Sequence, residues 1–258
     1  MQTRRAELLI LLGIAALTAL ACTRPSSSSG SSPSPSPSPT QVAIVDQILE
    51  HYMQAIGGKE AVKRVTSYKM KGTFQISKLS EPGTLEVWGK DPHKTLTVLQ
   101  FPRVGTLRKG FDGENYWVQT PLGTVSDSSP QEISELERDA QIYSADTIKS
   151  LYESMKLDRK ARLSGRDVYL VEGTPAKGPA ETLFFDVENG LLVRWDMARR
   201  HPKRGNVFVK VHFNDYKEVE GVKVPFSFRF AFESFDLFIR LDELQHNVEI
   251  DDAIFKKP

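Results

Sequence analysis

The chain has few of the residues on which enzyme chemistry usually depends. Cys22 is the single cysteine among 258 residues, which excludes an intramolecular disulfide framework and a Cys-x-x-Cys redox pair. The five histidines are scattered without metal-site spacing. No His-Glu-x-x-His motif, Gly-x-Ser-x-Gly elbow or phosphate-binding glycine loop occurs. We therefore expect no enzyme activity, no catalytic residue, no metal and no cofactor.

An excess of charge of one sign is also lacking. The formal net charge is +1, and removal of residues 1–21 would take away two arginines and one glutamate and leave zero. A neutral protein has no overall electrostatic attraction to nucleic acid, so we expect no nucleic-acid partner. Neighbouring acids such as Asp251 and Asp252 are expected to be solvated surface rather than an acid/base pair.

The cysteine lies where an apolar leader ends. Arg4 and Arg5 precede an uninterrupted stretch of apolar and small residues, 8–21, which is the layout of an export signal and is too short to span a bilayer comfortably. Residues 18–22 resemble the lipobox of bacterial lipoproteins, with Ala19 where that motif most often has Leu. The resemblance implies cleavage before Cys22 and acylation of its sulfur and amino terminus, and Thr23 favours outer-membrane sorting. An ordinary secretory signal and an uncleaved anchor are the alternatives.

A Ser/Pro tract follows the cysteine. Residues 23–40 have low complexity and cannot bury a core, so they are predicted to be a disordered tether. It would span about 25 Å as a flexible coil and about 55 Å fully extended. The predicted organisation is therefore a lipoprotein signal peptide at 1–21, a lipidated cysteine with its disordered linker at 22–40, and one globular domain at 41–258.

The globular part opens with a helix and continues mainly as strands. Apolar residues recur every three or four positions from Val42 to Ile56, and two glycines end the run. The period then changes to two, first from Tyr68 to Ile76, and Gly, Pro and Asp punctuate further strand-like runs. A second helical stretch is predicted at 130–155, with strands resuming near Lys160. The result is a mainly β (α+β) chain: an antiparallel meander of roughly a dozen strands with two or three helices.

Aromatic residues in the late strands are the strongest physical clue to function. Four rings alternate with other residues and project from one face of one strand: Phe226, Phe228, Phe230 and Phe232. Neighbouring runs add Val209, Val211, Leu237 and Ile239. A highly curved sheet needs apolar matter against its concave face, either its own helices or a ligand. Spacing alone does not distinguish a filled core from an occupied cavity.

Five segments carry a resemblance to a known family. They are AIGGKEAVKRV (55–65), GFDGENYW (110–117), DVENGLLVRWD (186–196), DYKEVEGVKVPFSFRF (215–230) and NVEIDDAIFKKP (247–258). They resemble the bacterial outer-membrane lipoprotein-sorting proteins, over nearly all of residues 41–258. The resemblance implies the half-barrel of the carriers LolA and LolB. In that fold a strongly curved antiparallel sheet, here of about 11–12 strands, is closed by two or three helices and accepts acyl chains on its apolar side.

The hypothesis is a lipid-anchored cell-envelope protein that binds acyl chains or lipoproteins in an apolar cavity, as carrier or acceptor. The wall candidates are the four phenylalanines and four aliphatic residues given above. The protein would be exported and held by Cys22, with the outer membrane facing the periplasm as its expected place. The alternative is a periplasmic protein-interaction or envelope-stress-sensing module, with a protein partner and a concavity filled by its own helices.

One basic cluster surrounds Pro202. It consists of Arg199, Arg200, Lys203 and Arg204. The simpler interpretation is a solvated hairpin tip. The functional hypothesis is contact with anionic lipid headgroups, since basic residues near such a surface contribute about 1 kcal/mol each.

Overall fold

The computed structural model describes residues 39–127, 145–176, 178–201 and 205–258. The helices in these ranges are α1 (Pro39–Ala55), α2 (Lys59–Lys63), α3 (Ala145–Ser150) and a final 3₁₀ turn (Asp252–Phe255). The strands there are β1 (Ser67–Ile76), β2 (Gly83–Lys90), β3 (Lys94–Phe101), β4 (Gly105–Phe111), β5 (Tyr116–Gln119), β6 (Val125–Asp127), β7 (Ser154–Leu163), β8 (Arg166–Thr174), β9 (Glu181–Asp186), β10 (Leu192–His201), β11 (Gly205–Val219), β12 (Val222–Ala231) and β13 (Asp236–His246).

All thirteen of these strands belong to one antiparallel sheet. Its order is β6-β5-β4-β3-β2-β1-β13-β12-β11-β10-β9-β8-β7. Two meanders, β1 to β6 and β7 to β13, are therefore joined where the first strand pairs with the last. The sheet is curved and unclosed, with β6 and β7 at its edges, and the expected half-barrel is confirmed. The three-residue strand β6 is an addition to the predicted set.

The predicted helix through Met155 is wrong over its last residues. Within the described part of residues 130–155, α3 ends at Ser150 and β7 begins at Ser154, six residues before the predicted strand start at Lys160. Ile148, Tyr152 and Met155 are buried at helix-like spacing, but they reach one core from a helix, a turn and a strand. The rest of that predicted stretch, 128–144, lies outside the described residues.

Helix α1 lies against the concave face of β8 to β11. Its buried residues are Val45, Ile48, Leu49, Tyr52, Met53 and Ile56. The helix ends as predicted at two glycines with positive φ, 118° at Gly57 and 86° at Gly58. A Cβ at Gly57 would lie 2.0 Å from the carbonyl oxygen of Gly221, and the Lys223 amide donates to Ile56 O at 2.8 Å. This close approach fixes the C-terminal end of α1 to the β11–β12 turn.

The turns of the sheet gather at two rims. The first rim carries turns 91–93 (β2–β3), 112–115 (β4–β5), 164–165 (β7–β8), 187–191 (β9–β10) and 220–221 (β11–β12). The second rim carries turns 77–82 (β1–β2), 102–104 (β3–β4), 120–124 (β5–β6) and 232–235 (β12–β13), together with the described residues 175–176 and 178–180 of the β8–β9 connection. These positions follow from the antiparallel order, because each strand reverses direction.

The C-terminal segment covers the opposite, convex face of β3 to β5. Phe255 is fully buried with Leu96, Trp117 and Ile250, and Val248 and Ile254 pack against them. The Trp117 indole Nε1–H donates to the carbonyl oxygen of Phe255 at 2.7 Å. The tail is therefore held against the sheet by apolar packing and by this hydrogen bond.

We predict that the tail loosens at acid pH through Asp252. Hydrogen bonds from Lys90 and then Lys94 lower the pKa of Asp252 from 3.8 to about 2. A depressed carboxyl pKa stabilises the folded tail above about pH 4, and this contribution is lost as the pH falls through about 2. The Trp117 indole N–H resonance should therefore shift over that interval. Asp252→Asn should remove this transition, whereas Glu249→Gln should keep it. A transition that survives Asp252→Asn would contradict the assignment.

Candidate apolar binding site

Two rows of apolar side chains cross the middle of the concave face. The strand register aligns Val211, Phe230, Leu237 and Ile76 in one row. It aligns Phe213, Phe228, Ile239 and Phe74 in the next. Facing residues on antiparallel strands point to the same side of the sheet, with Cβ atoms about 5 Å apart. The rows therefore form one continuous carbon surface across β11, β12, β13 and β1.

The eight predicted wall residues all lie on this side of the sheet, in two groups. Val209, Val211 and Phe226 are buried, with exposures of 2%, 1% and 6%, and they are ordinary core residues. Phe228, Phe230, Phe232, Leu237 and Ile239 are only half-buried. These five lie where the sheet leaves apolar surface accessible.

A sixth residue, Phe235, completes that surface. Its ring stacks on Phe232 with centroids 4.5 Å apart and planes inclined by 20°, and the Phe232 amide donates to Phe235 O at 3.0 Å. We call the six half-buried side chains the apolar strip: Phe228, Phe230, Phe232, Phe235, Leu237 and Ile239. Sequence reasoning missed Phe235 because it lies in the 232–235 turn, outside the strand alternation. The available signal was a second aromatic three residues after Phe232.

The strip lies between two core clusters. One contains α1 with β8 to β11, and the other contains β1 to β5 with parts of β12 and β13. Phe228 packs against both clusters, Phe230 and Phe232 against the first, and Leu237 and Ile239 against the second. Phe213 meets Phe228 edge to face at 6.0 Å. The strip is therefore the surface along which the two filled halves of the concavity meet.

The buried polar groups near this face are bound to one another. Glu181, only 2% exposed, accepts hydrogen bonds from Tyr152 Oη at 2.8 Å and Trp195 Nε1 at 3.0 Å. Tyr216 Oη donates to the carbonyl oxygen of Leu192 at 2.7 Å. Burial raises the pKa of Tyr52, which keeps this core phenol neutral. The surface of the strip consists of apolar carbon atoms. It can therefore bind an apolar ligand by removing the apolar surface of both from water.

The other predicted functional residues are only partly within the described chain. Arg199 and Arg200 lie near the end of β10, paired with Val207 and Asn206, on the side of the second rim. Lys203 and Arg204 lie outside the described residues, as do Cys22 and residues 1–38. Helix α1 begins at Pro39, so the last two residues of the predicted linker are helical.

No group of three or more His, Cys, Asp or Glu in the described part of the chain could hold a metal ion. Of the helices found there, none has both the length and the apolar character needed to cross a membrane.

Comparison with known proteins establishes the fold. Neither a protein-family profile nor a curated protein matches the sequence. A DUF1329 family protein from Desulfovibrio piger is similar in structure, with 16% identity and a TM-score of 0.58 over 82% of this chain and 97% of that one. An outer membrane lipoprotein-sorting protein domain from Vibrio parahaemolyticus has 11% identity and a TM-score of 0.57 over 81% and 96%. A LolA superfamily protein from Nitrosomonas europaea has 13% identity and a TM-score of 0.56 over 82% and 97%.

These similarities place the domain in a structural class. The chain has a LolA/LolB-like half-barrel fold, as its sequence segments led us to expect. At such low identity the likeness concerns the fold alone.

Proposed function

We propose that this protein is a lipid-anchored protein of the cell envelope that binds acyl chains, free or attached to lipoproteins, on its concave face. It acts as a carrier or acceptor, and no bond is made or broken in the domain. The observation that supports this function is the apolar strip. Six large side chains stay half-buried at the centre of the concave face, between its two clusters of buried apolar residues.

The energetics of the strip suit a long apolar ligand. Each CH₂ group buried from water contributes about 0.8 kcal/mol, so about ten methylenes on the strip would contribute roughly 8 kcal/mol. Association costs at least about 4 kcal/mol in lost freedom. For ten methylenes the net gain is thus at most about 4 kcal/mol, a dissociation constant of about 1 mM, so tighter binding requires a longer acyl chain running along both rows.

Two further observations support an envelope role. The leader and Cys22 have the layout of a lipoprotein export signal. The fold is shared with a lipoprotein-sorting protein domain and a LolA superfamily protein. In the proposed function the domain stands at the outer membrane on the periplasmic side, held by the acylated Cys22.

The strip is tested by acyl binding to the full chain. Phe230→Asp should weaken the binding of a fluorescent fatty acid by about tenfold or more, because a carboxylate is placed in the ligand's path. Phe238→Asp is the matched control, since Phe238 lies on the convex face and is 43% exposed. Chemical denaturation should show that both variants remain folded. Equal loss in both variants, or loss in neither, would contradict the proposed site.

A protein-interaction module is the second candidate function. It is favoured by the buried state of Val209, Val211 and Phe226, which shows that α1 and the sheet already fill part of the concavity. Native mass spectrometry of the purified full chain separates the two functions. Co-purified lipid that is lost in Phe230→Asp supports the carrier, and a lipid-free chain that retains an envelope protein supports the module.

The anchor is tested separately through Cys22. Cells expressing the chain should incorporate labelled palmitate into it, and Cys22→Ser should abolish that label, because this is the only thiol in the sequence. The mature protein should also lose stable membrane association, since several acyl chains are needed to hold a protein on a bilayer. Equal label on both proteins would show that the cysteine is not the anchor.

The basic cluster is proposed to contact anionic headgroups. Changing Arg199, Arg200, Lys203 and Arg204 to Ser in the Cys22→Ser chain should weaken its binding to phosphatidylglycerol vesicles by roughly tenfold or more. The difference should shrink at high salt because surface charges are screened. Changing Arg159, Lys160 and Arg162 on edge strand β7 to Ser is the control and should have little effect. Unchanged affinity of the first variant would exclude this contact.

A further inference from the structure

The two rims of the sheet differ in chemistry. The described turns of the first rim carry five acidic residues, with neither Lys nor Arg among them: Asp91, Asp112, Glu114, Glu188 and Glu220. Four of the second-rim turns carry five large apolar residues instead: Leu79, Val104, Leu122, Phe232 and Phe235. The described first-rim turns are therefore acidic, although Lys90 and Lys94 flank one of them, and the large apolar turn residues lie at the second rim.

Leu122 is the most exposed large apolar side chain of the described residues, at 86%. Its turn is well formed: the Thr120 amide donates to Thr124 O at 2.9 Å, and the Gly123 amide to Thr120 O at 2.9 Å. Pro121 lies against Gly105, where an added Cβ would come within 3.2 Å of the proline Cβ. Since Gly105 follows directly after turn 102–104, two second-rim turns pack side by side and present Leu122 at their tip.

The second-rim turns are neutral overall, whereas the first-rim turns are acidic. Exposed Lys78 and Arg103 are balanced by Glu81, which pairs with Arg103, and by exposed Glu233. Arg199 and Arg200 end β10 on the same side. The first rim, by contrast, would be repelled by anionic lipid within a Debye length of about 10 Å.

The chain also enters the domain at the second rim. The C-terminal end of α1 is fixed to the 220–221 turn of the first rim, so the helix runs from the opposite end. Lys149 of α3 pairs with Asp46 of α1 at 2.6 Å, and α3 leads directly into β7, which starts at the second rim. Pro39 lies two helical turns beyond Asp46. Sixteen residues separate it from Cys22, a reach of at most about 55 Å.

We propose that the second rim faces the membrane, with Leu122 entering the headgroup region of an anionic phospholipid bilayer and the acidic first rim pointing away. The inference rests on the proposed function in taking a lipid surface as the partner of the anchored chain. It adds the orientation of the domain. Phe232 and Phe235, at one end of the apolar strip, then lie at the membrane-facing rim, so an acyl chain can pass between bilayer and strip with little exposure to water.

The orientation is tested by placing one environment-sensitive fluorophore at each rim. Full chains carrying Leu122→Cys or Asn115→Cys are labelled with a nitrobenzoxadiazole maleimide and reconstituted into vesicles of phosphatidylethanolamine and phosphatidylglycerol. Asn115 is the matched position because it is an exposed turn residue of the first rim. We expect brighter, blue-shifted emission at position 122 that is quenched by spin-labelled lipid, and water-like emission at position 115. Similar emission at both positions, or greater quenching at 115, would overturn the orientation.

Labelling of the parent chain, which has neither added cysteine, distinguishes a failure of the anchor from a failure of the orientation. An acylated Cys22 cannot take the label, so labelling of the parent chain would contradict the proposed anchor. The two probes are then compared in the Cys22→Ser background with added vesicles. In that background Leu122→Asp should also weaken vesicle binding by roughly tenfold, because a charge replaces the leucine that enters the bilayer. Neither experiment measures acyl binding to the strip, so the orientation can fail while the proposed binding site stands.

Discussion

The pairing of β1 with β13 is the constraint on which the rest of the structure depends. It joins the two meanders and sets Phe74 opposite Ile239 and Ile76 opposite Leu237. At Gly72, next to the register irregularity, an added Cβ would come within 2.1 Å of Arg240 O, so this close approach requires glycine. A slip of one residue would turn each side chain to the other face. The continuous carbon surface across four strands exists because this register is kept.

Different parts of the chain cover the two faces of the curved sheet. Helix α1 covers the concave side of β8 to β11, and the C-terminal tail covers the convex side of β3 to β5. On the convex side of β8 to β10 a small cluster around Phe184 is covered by the Arg194 guanidinium, 4.6 Å from the ring centroid. The six residues of the apolar strip stay half-buried between the two concave-face clusters. That contrast is the reason for assigning function to the concave face.

The sequence predicted the strands whose two faces differ in polarity, and it failed where they do not. In β1 the alternation from Tyr68 to Ile76 is plain, and its burial alternates accordingly. In β7 the residues after Leu157 are largely exposed on both faces because the strand is an edge, so the period of two is lost. Met155, buried beside Tyr152, then extended an apparent helical pattern. A local sequence pattern is ambiguous where tertiary contacts decide whether a segment forms a helix or a strand.

The sequence predicted which residues form the candidate site, but not how deeply each of them is buried. Alternation placed Phe226 and Phe228 on one face, yet Phe226 is buried and Phe228 half-exposed. The difference depends on the curvature of the sheet and the position of α1, which residue spacing does not encode. Residue spacing likewise did not reveal that the turns of the two rims differ in polarity. Asp91 and Glu188 are nearly a hundred residues apart, and only the strand order places their turns at the same end.

The rims and the strip together suggest why a carrier or acceptor would have this architecture. An acyl chain of ten methylenes that crosses water loses about 8 kcal/mol of burial on the way, which makes transfer through solvent slow. A strip that ends at an apolar, membrane-facing rim shortens that path, because Phe232 and Phe235 lie at the same end of the domain as Leu122. The acidic turns at the other end oppose the inverted orientation, in which the strip would open into solvent. The proposed orientation and the proposed binding thus both follow from the same strand order.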